Sequence, residues 1–375
     1  MKNVLEWLEA TVAKYPDKPA FSDTESSITF RQVYDIARNT GAYLVEQLGV
    51  DRTPVAVFAG RKMVTPAYFL GVVYAGRPYA PIDASLPDKR IEKILENLCP
   101  RAIVADRESR EHVESIVDEL AKAEGFDRPQ IFIAEDISHF EQVACADSNC
   151  KISESSGDAV TDSENDTDGG VVAGCAGKTD DSALEKLATV RRQMSMTDPL
   201  YIIYTSGSTG NPKGVMTSHL SLMTYINAYC DVMHIEESDV LGNQSPLDYI
   251  AAIRDIYLPL KTGCSTAIIP KEYFMEPNAL FDYMNDKKVS SVGWSVSAFT
   301  ILTSLGAFEE VGLKSLRKIC FSGSVMPCRV LRKWQENLPE AHFVNQYGPT
   351  EATASCTYYS CLLYTSPSPR DRSVS

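Results

Sequence analysis

The hydrophobic and polar positions of the first 137 residues alternate between two periods. TPVAVFAG, RAIVAD and QIFIAED are short apolar runs, which is typical of buried strands. Between and before them, ITFRQVYDIARNTGAYLVEQL and KMVTPAYFLGVVYAG place apolar residues at helical spacing, and Gly71, Ala75 and Gly76 in the second of these allow close packing. Strands that alternate with helices of about 10 to 15 residues predict a mostly parallel sheet covered on both faces.

The same alternation continues in the second half of the chain. PLYIIYTS, STAIIP, VSSVGW, LRKICFSG and AHFVNQYG are predicted strands, and SHLSLMTYINAYCDVM is a predicted helix. Turn residues follow these strands and separate them from the next element. We therefore predict a first α/β subdomain over residues 1–137 and a second over residues 184–360.

Two segments interrupt this pattern. Residues 138–183 are rich in Ser, Asp and Gly, and the part from 147 to 181 holds nine acidic residues against two lysines. Such a segment buries too little apolar surface to offset its ordering entropy, so we predict a disordered insertion, either a neutral loop expansion or a docking segment. Residues 361–375, CLLYTSPSPRDRSVS, also show no helical or strand periodicity of hydrophobic positions. We therefore expect the authentic sequence to stop near Ser360.

Composition narrows the class of protein. Hydrophobic residues make up 44% of the 375 residues and charged residues 23%, as in ordinary globular proteins. The net charge of −14 argues against nucleic acid and anionic membranes as partners. The sequence has no long apolar run and no signal peptide, so we expect a cytoplasmic protein. The ten cysteines form no CxxC and the five histidines no HxH or HExxH, so we expect reduced thiols and no transition-metal site.

The strongest chemical signal is YIIYTSGSTGNPKG, residues 201–214. An apolar strand leads into a loop whose glycines let backbone N–H groups approach an anion and whose hydroxyls add donors. Lys213 supplies a positive charge. This loop contains no GK[ST], because Val215 follows Gly214 and Lys213 precedes it, so it is not a Walker A loop. We predict a phosphate-binding loop, because a simple mobile turn would not explain Pro212 and Lys213 behind a buried strand.

The segment TSGSTGNPKGVMTSH resembles the signature loop of the adenylate-forming (AMP-binding) enzymes. GVVYAGRPYAPIDASLPDKRIEKIL, LRKICFSGSVM and NQYGPTEATAS resemble further motifs of that superfamily in the same order. The PIDASLP and YGPTE forms favour the amino-acid adenylation branch, which includes nonribosomal peptide synthetase domains and D-alanine carrier-protein ligases. The resemblance implies the superfamily's N-terminal domain: an α/β fold with two mostly parallel sheets flanked by helices.

The resemblance also implies a two-step reaction. A small carboxylic acid attacks ATP in the presence of Mg²⁺, and the acyl-adenylate then passes to a phosphopantetheine thiol of a carrier protein. The sequence contains no Thr-Gly-Asp motif and no lysine-bearing lid, so we expect an N-terminal fragment that lacks the C-terminal lid domain and catalyses weakly. Two alternatives stay open: an acyl-CoA synthetase that uses coenzyme A, and a non-catalytic nucleotide-binding remnant. The oligomeric state is unknown.

Residues at positions that match the superfamily's motifs are implied by the resemblance to have the same roles. The residues implied to hold the β- and γ-phosphates are Thr205, Ser206, Gly207, Ser208, Thr209, Gly210, Lys213 and Gly214. Those implied at the adenine are Gly323, Ser324, Asn345, Gln346, Tyr347 and Gly348, with Tyr347 stacking. The implied catalytic residues are Lys213, Thr350 at the α-phosphate, and Glu351 as the oxygen ligand of Mg²⁺. The implied acyl pocket comprises Ile250, Ala251, Arg254, Trp294, Cys320, Ser322, Gln346, Ala354 and Ser355.

One position departs from the resembled pattern. Ile250 stands where the superfamily commonly has an aspartate that pairs with the substrate α-amino group, and Asp248 lies two residues earlier. A buried cation needs a partner, so we expect a hydroxy, keto or other acid rather than an ordinary α-amino acid. A register that restores Asp248 to this role is the alternative. We also weigh Trp294 as plain core and His219 as a packing residue rather than a base.

Overall fold

The computed structural model describes residues 2–139, 181–206 and 211–361. The helices are α1 Leu5–Lys14, α2 Phe30–Leu48, α3 Thr65–Tyr74, α4 Asp88–Leu98, α5 Arg110–Leu120, α6 Ala134–Ser138, α7 Asp181–Gln193, α8 His219–Met233, α9 Ile253–Thr262, α10 Pro277–Asp286, α11 Val296–Ser304 and α12 Cys328–Asn337. The strands are β1 Pro19–Ser22, β2 Ser27–Thr29, β3 Val55–Phe58, β4 Tyr79–Pro81, β5 Ala102–Ala105, β6 Gln130–Ile133, β7 Pro199–Ser206, β8 Pro212–Ser218, β9 Val240–Asn243, β10 Ser265–Ile268, β11 Ser291–Ser295, β12 Lys318–Ser322, β13 His342–Tyr347 and β14 Thr357–Ser360. Short 3₁₀ turns cover Ile250–Ala252, Lys271–Met275 and Thr350–Ala352.

The strands form two sheets. The first has the order β6-β5-β3-β4-β7-β8, and the second has the order β14-β13-β12-β11-β9-β10-β1-β2. Interior neighbours pair in parallel, while β7–β8, β13–β14 and β1–β2 are antiparallel. The predicted α/β fold with two mostly parallel sheets flanked by helices is confirmed. Among the described residues, no helix is long and apolar enough to cross a membrane.

The sheets do not divide where the subdomains are predicted to divide. Strand β1, from the first half of the chain, pairs with β10 in the second sheet, and β7, from the second half, pairs with β4 in the first. Hydrophobic periodicity reports which face of a strand is buried but not which strand lies beside it. Most of the predicted insertion at 138–183 and all but Cys361 of the tail at 361–375 lie outside the described residues.

Helices α2 and α3 pack at unusually short range. A Cβ added to Gly71 would lie 2.5 Å from Cβ of Thr40, and one added to Gly41 would lie 2.6 Å from Cβ of Tyr74. Every residue of α3 is buried, so this helix lies inside the molecule rather than on its surface. The close packing predicted from Gly71 is confirmed, and it fixes the helical layer behind the first sheet.

His219 opens α8 and is buried. Its Nδ1 accepts a hydrogen bond from the backbone N–H of Val4 at 3.4 Å, which ties the N-terminus of the chain to the start of α8. Burial lowers the pKa of the imidazole to about 4, although Asp198 opposes the change. His219 is therefore a neutral packing residue at pH 7.

We expect His219 to make folding sensitive to mild acid. The folded imidazole stays neutral to about pH 4, whereas the unfolded one protonates near its ordinary pKa of 6.5. Stability present above pH 6.5 is therefore lost as the pH falls towards 4, by about 3 kcal/mol. Urea unfolding at several pH values should show that the free energy of unfolding of His219→Asn falls less between pH 6.5 and 4 than that of wild type. His234→Asn, at an exposed histidine, should retain the wild-type slope, and equal slopes for all three proteins would refute the assignment.

Candidate nucleotide and acyl site

The β7–β8 hairpin fixes the base of the predicted phosphate loop. Antiparallel pairing places Thr205 opposite Lys213 and Ser206 opposite Pro212. Gly207, Ser208, Thr209 and Gly210 lie outside the described residues. On β8, a Cβ at Gly214 would lie 2.8 Å from Cγ2 of Ile202 and 3.1 Å from the ring of Tyr204, so the hairpin needs a residue without a side chain there. Lys213 is exposed, with its charge available at the mouth of the loop.

A cavity of about 750 Å³ opens beside this hairpin. The ends of β4 and β7 line one side, including Asp83, Thr205 and Ser206. The segment after β9, with Ser295, Thr350 and Glu351, lines the other. The first residues of the predicted phosphate loop, Thr205 and Ser206, therefore share one cavity with Thr350 and Glu351 of the YGPTE turn, although the two groups lie far apart in sequence. This shared lining is the main geometric finding of the site.

The turn that carries Thr350 and Glu351 is tightly folded. A Cβ at Gly348 would lie 2.5 Å from Cα of Ser355 and 2.8 Å from the backbone nitrogen of Cys356. That nitrogen donates to the carbonyl of Tyr347 at 3.0 Å, closing the turn. Thr353 and Ala354 have φ of +54° and +71°, a region that side chains disfavour. Strain of this kind persists where the surroundings hold the backbone, and it commonly marks functional sites.

The predicted adenine residues meet at the carboxyl edge of the second sheet. Phe321 of β12 lies opposite Asn345 of β13, so Gly323 and Tyr347 follow at the same edge. Gly323 has φ of +95°, a left-handed conformation that suits glycine. The side chain of Tyr347 is 71% exposed, which leaves its ring accessible to a planar base. Ser324 is exposed beside it, and Gln346 is buried with no hydrogen-bond partner for Oε1 among the described residues.

The acyl-pocket residues divide between the two faces of the second sheet. Ile250 and Cys320 belong to one buried cluster, and Ala354 packs against it. Trp294 belongs to another cluster, where its ring packs against Phe274 at a centroid distance of 5.0 Å. The structure therefore does not bring Trp294 together with Ile250 and Cys320.

Gly293 is the residue on the pocket side of β11. A Cβ there would lie 2.2 Å from Nε of Arg254, so the guanidinium lies directly on the glycine backbone. The sequence analysis missed this position, although the two-residue period of strand side chains offered the signal: Trp294 and Gly293 must face opposite sides. The remaining predicted pocket residues, Ala251, Ser322 and Ser355, are partly buried.

The charge of the cavity lining fits a metal-complexed nucleotide. Asp83, Asp248 and Glu351 contribute three carboxylates against the single guanidinium of Arg90. Burial and the nearby Asp83 raise the pKa of Asp248, while backbone hydrogen bonds and Lys271 lower it. A free polyphosphate would meet net negative charge here, whereas carboxylate and phosphate oxygens are the ligands that Mg²⁺ prefers. Glu351, which is exposed and lies beside Thr350, fits that role.

The sequence model of the AMP-binding enzyme family matches residues 8–375. The chain belongs to this family. Curated AMP-binding relatives include the D-alanine–D-alanyl carrier protein ligase of Bacillus cereus (strain AH187), 27% identical over 355 residues. The corresponding ligase of Bacillus thuringiensis (strain Al Hakam) is 28% identical over the same length. Both alignments cover 94% of this chain, and the chain spans about 60% of the length of these relatives.

Solved structures show the same AMP-binding fold. A crystal structure of the nonribosomal peptide synthetase FmoA3 aligns with a TM-score of 0.73 at 18% identity and covers 98% of this chain and 33% of its own. VinN in complex with L-aspartate aligns with a TM-score of 0.69 at 17% identity, covering 94% of this chain and 78% of its own. At such identities the likeness is one of fold alone.

The closed turn at Gly348 generates a prediction. Gly348→Ala forces the backbone of Ser355 and Cys356 away and displaces Thr350 and Glu351 from the cavity. We expect affinity for MgATP to fall about tenfold, the equivalent of one hydrogen bond to a charged group. Isothermal titration calorimetry measures this loss, with thermal unfolding recorded in parallel. Gly312→Ala is the matched control, because its added Cβ meets no heavy atom within 4 Å. Unchanged affinity in Gly348→Ala would contradict the role of the turn.

Proposed function

We propose that the chain activates a small carboxylic acid with ATP and transfers the acyl group to the phosphopantetheine thiol of a carrier protein. In the first step a carboxylate oxygen attacks the α-phosphorus, and pyrophosphate leaves. In the second step a thiolate attacks the acyl carbonyl, and AMP leaves. The observation that carries the proposal is the single cavity lined by Thr205 and Ser206 on one side and by Thr350 and Glu351 on the other.

The residues of this chain have separable tasks in the proposed reaction. Thr205, Ser206 and Lys213 provide hydroxyls and a positive charge for the leaving pyrophosphate, and Thr350 provides a hydroxyl near the α-phosphate. Glu351 holds Mg²⁺, which neutralises charge on the phosphates. The exposed ring of Tyr347 stacks on adenine at the sheet edge. Together these groups align two anions that would otherwise repel each other.

The relatives guide the choice of acceptor and compartment. The curated proteins are named as ligases of D-alanine to a D-alanyl carrier protein, and this supports a carrier protein rather than free coenzyme A as the partner. A cytoplasmic location is proposed because ATP is the energy source and because the seven cysteines in the described ranges are free thiols.

The substrate is proposed to be an acid other than an ordinary α-amino acid. Ile250, where the superfamily commonly has the amino-binding aspartate, is 6% exposed within an apolar cluster and offers no charge to an ammonium group. Asp248 lines the cavity and remains the alternative anchor.

Removal of the proposed magnesium ligand tests the nucleotide site. Glu351→Gln keeps the shape of the side chain but removes its negative charge, so we expect MgATP to bind roughly tenfold more weakly. The pyrophosphate release that depends on the carboxylic acid substrate should fall together with the affinity for MgATP. Addition of EDTA should weaken wild-type binding of ATP as well, because the cavity lining is acidic. Glu336→Gln, at an exposed position on α12, is the control. If neither Glu351→Gln nor the addition of EDTA changes the affinity for ATP, the proposal is wrong.

Substitution at Ile250 tests the substrate class. Wild type should release pyrophosphate faster with lactate or pyruvate than with alanine. Ile250→Asp places a carboxylate where an ammonium would lie, so the preference should move towards alanine by about tenfold. Ile250→Asn, which has the same shape without the charge, should not show this shift. A wild-type preference for alanine that disappears in Asp248→Asn would establish the alternative register instead.

A further inference from the structure

We propose that Arg254 binds a second carboxylate of the substrate, so that the acid activated here is a small dicarboxylic acid without an α-ammonium group. This inference rests on the proposed function, because it assigns the far end of the acyl pocket in that reaction. It commits to one ligand chemistry: a short carbon chain with an anion at each end.

Arg254 is a charged side chain at the centre of the protein. It is 2% exposed and lies flat against Gly293, where any side chain would displace it. It lies 6.0 Å from the ring centroid of Tyr229, on the face of the second sheet that also carries Cys320. Cys320 is in register with Gly293, so guanidinium, glycine and thiol stand at one level of the pocket.

The guanidinium of Arg254 has one carboxylate neighbour and a buried nitrogen without a hydrogen-bond partner among the described residues. Its Nε lies 3.5 Å from Oδ1 of Asp255 but makes no hydrogen bond with any described residue. Oδ2 of Asp255 accepts from Nδ2 of Asn243 at 2.9 Å, and the Oδ1 of Asn243 accepts from Arg61 at 2.8 Å. Asp255 therefore acts electrostatically on both guanidinium groups, of which only that of Arg254 is fully buried, and a buried donor without a partner is costly.

The other groups that act on Arg254 are neutral at pH 7. Burial raises the pKa of Tyr225 to about 12 and that of Cys320 to about 11, and it raises the pKa of Tyr229 well above the ordinary value. None of these side chains supplies the missing negative charge. The Oη of Tyr225 is also buried, and its electrostatic interaction is with the guanidinium of Arg254 itself.

Two serines form a polar row between the cavity and the level of Gly293 and Cys320. Ser295 and Ser322 are in register, and both lie two residues beyond the level of Gly293 and Cys320. Ser295 lines the cavity that holds Thr350 and Glu351, and in the proposal the reacting carboxylate lies at this end of the row. Two residues along a strand span about 6.6 Å, which matches the reach of a short diacid such as succinate.

The test compares succinate with butyrate, which has the same carbon chain but only one carboxylate. Calorimetry is performed on the chain saturated with the Mg²⁺ complex of an ATP analogue whose α–β bridge is methylene. We expect succinate to bind about tenfold or more tightly than butyrate, as for hydrogen bonds to a charged group. Arg254→Met should remove the preference, and Arg254→Lys should retain part of it, because the charge remains without the planar fork.

Control variants separate recognition from folding. Arg254→Met/Asp255→Asn removes both charges, so a folded pocket without the guanidinium can be examined even if the single variant unfolds. Arg77→Met removes another buried arginine, which pairs with Asp51 in the connections before β3 and β4, and should keep the ratio of succinate to butyrate affinity. That ratio reports contact with the ligand, since a purely structural role of Arg254 would lower both affinities together.

The outcomes are distinct. Equal affinities for succinate and butyrate in wild type, or an unchanged ratio in the folded double variant, would overturn the assignment of Arg254 while leaving adenylation intact. Tighter binding of alanine than of succinate would do the same. Failure of the nucleotide analogue itself to bind would overturn the proposed function.

Discussion

The guanidinium of Arg61 links the two sheets through hydrogen bonds. This residue follows β3 of the first sheet, yet it donates to the carbonyl of Asn243 at 2.7 Å and to the carbonyl of Ile269, at the ends of β9 and β10 of the second sheet. Burial lowers its pKa to about 10, so the charge is retained at pH 7. Because the cavity is also lined from both sheets, this link holds together the two bodies that carry Thr205 and Ser206 on one side and Thr350 and Glu351 on the other.

Parallel strands make such a cavity possible. Their carboxyl ends lie at one edge, and the loops that leave this edge converge whatever their separation in sequence. In this chain the end of β7 in the first sheet and the segments that follow β11 and β13 in the second sheet line the same cavity. The strained backbone at Thr353 and Ala354 is held at the same edge, where departures from ordinary geometry serve positioning rather than stability.

The sequence predicts the elements and the phosphate loop better than it predicts how they assemble. Hydrophobic period identifies strands such as Val55–Phe58 and Lys318–Ser322, because burial of apolar side chains dictates it. It does not identify which strands lie next to each other, so it does not predict the pairing of β1 with β10. At the site, motif resemblance includes Trp294 in the acyl pocket, whereas alternation along β11 places Trp294 and Gly293 on opposite faces of the sheet. Contacts between residues far apart in sequence, such as those of Arg61 with Asn243 and Ile269, are not predicted by any local sequence pattern.

Two features at the acyl end of the site act in the same electrostatic direction. Ile250 removes a negative charge from the place where an aspartate is common in the superfamily, and Arg254 supplies a positive charge that Asp255 shares with Arg61. Either change alone would disfavour an ammonium group, and together they leave a buried potential suited to an anion. Gly293 admits the guanidinium because it has no side chain. Under the two proposals, the catalytic edge and the acyl end therefore have opposite electrostatic requirements: Mg²⁺ would compensate acidic groups at one, and the substrate's own carboxylate would compensate Arg254 at the other.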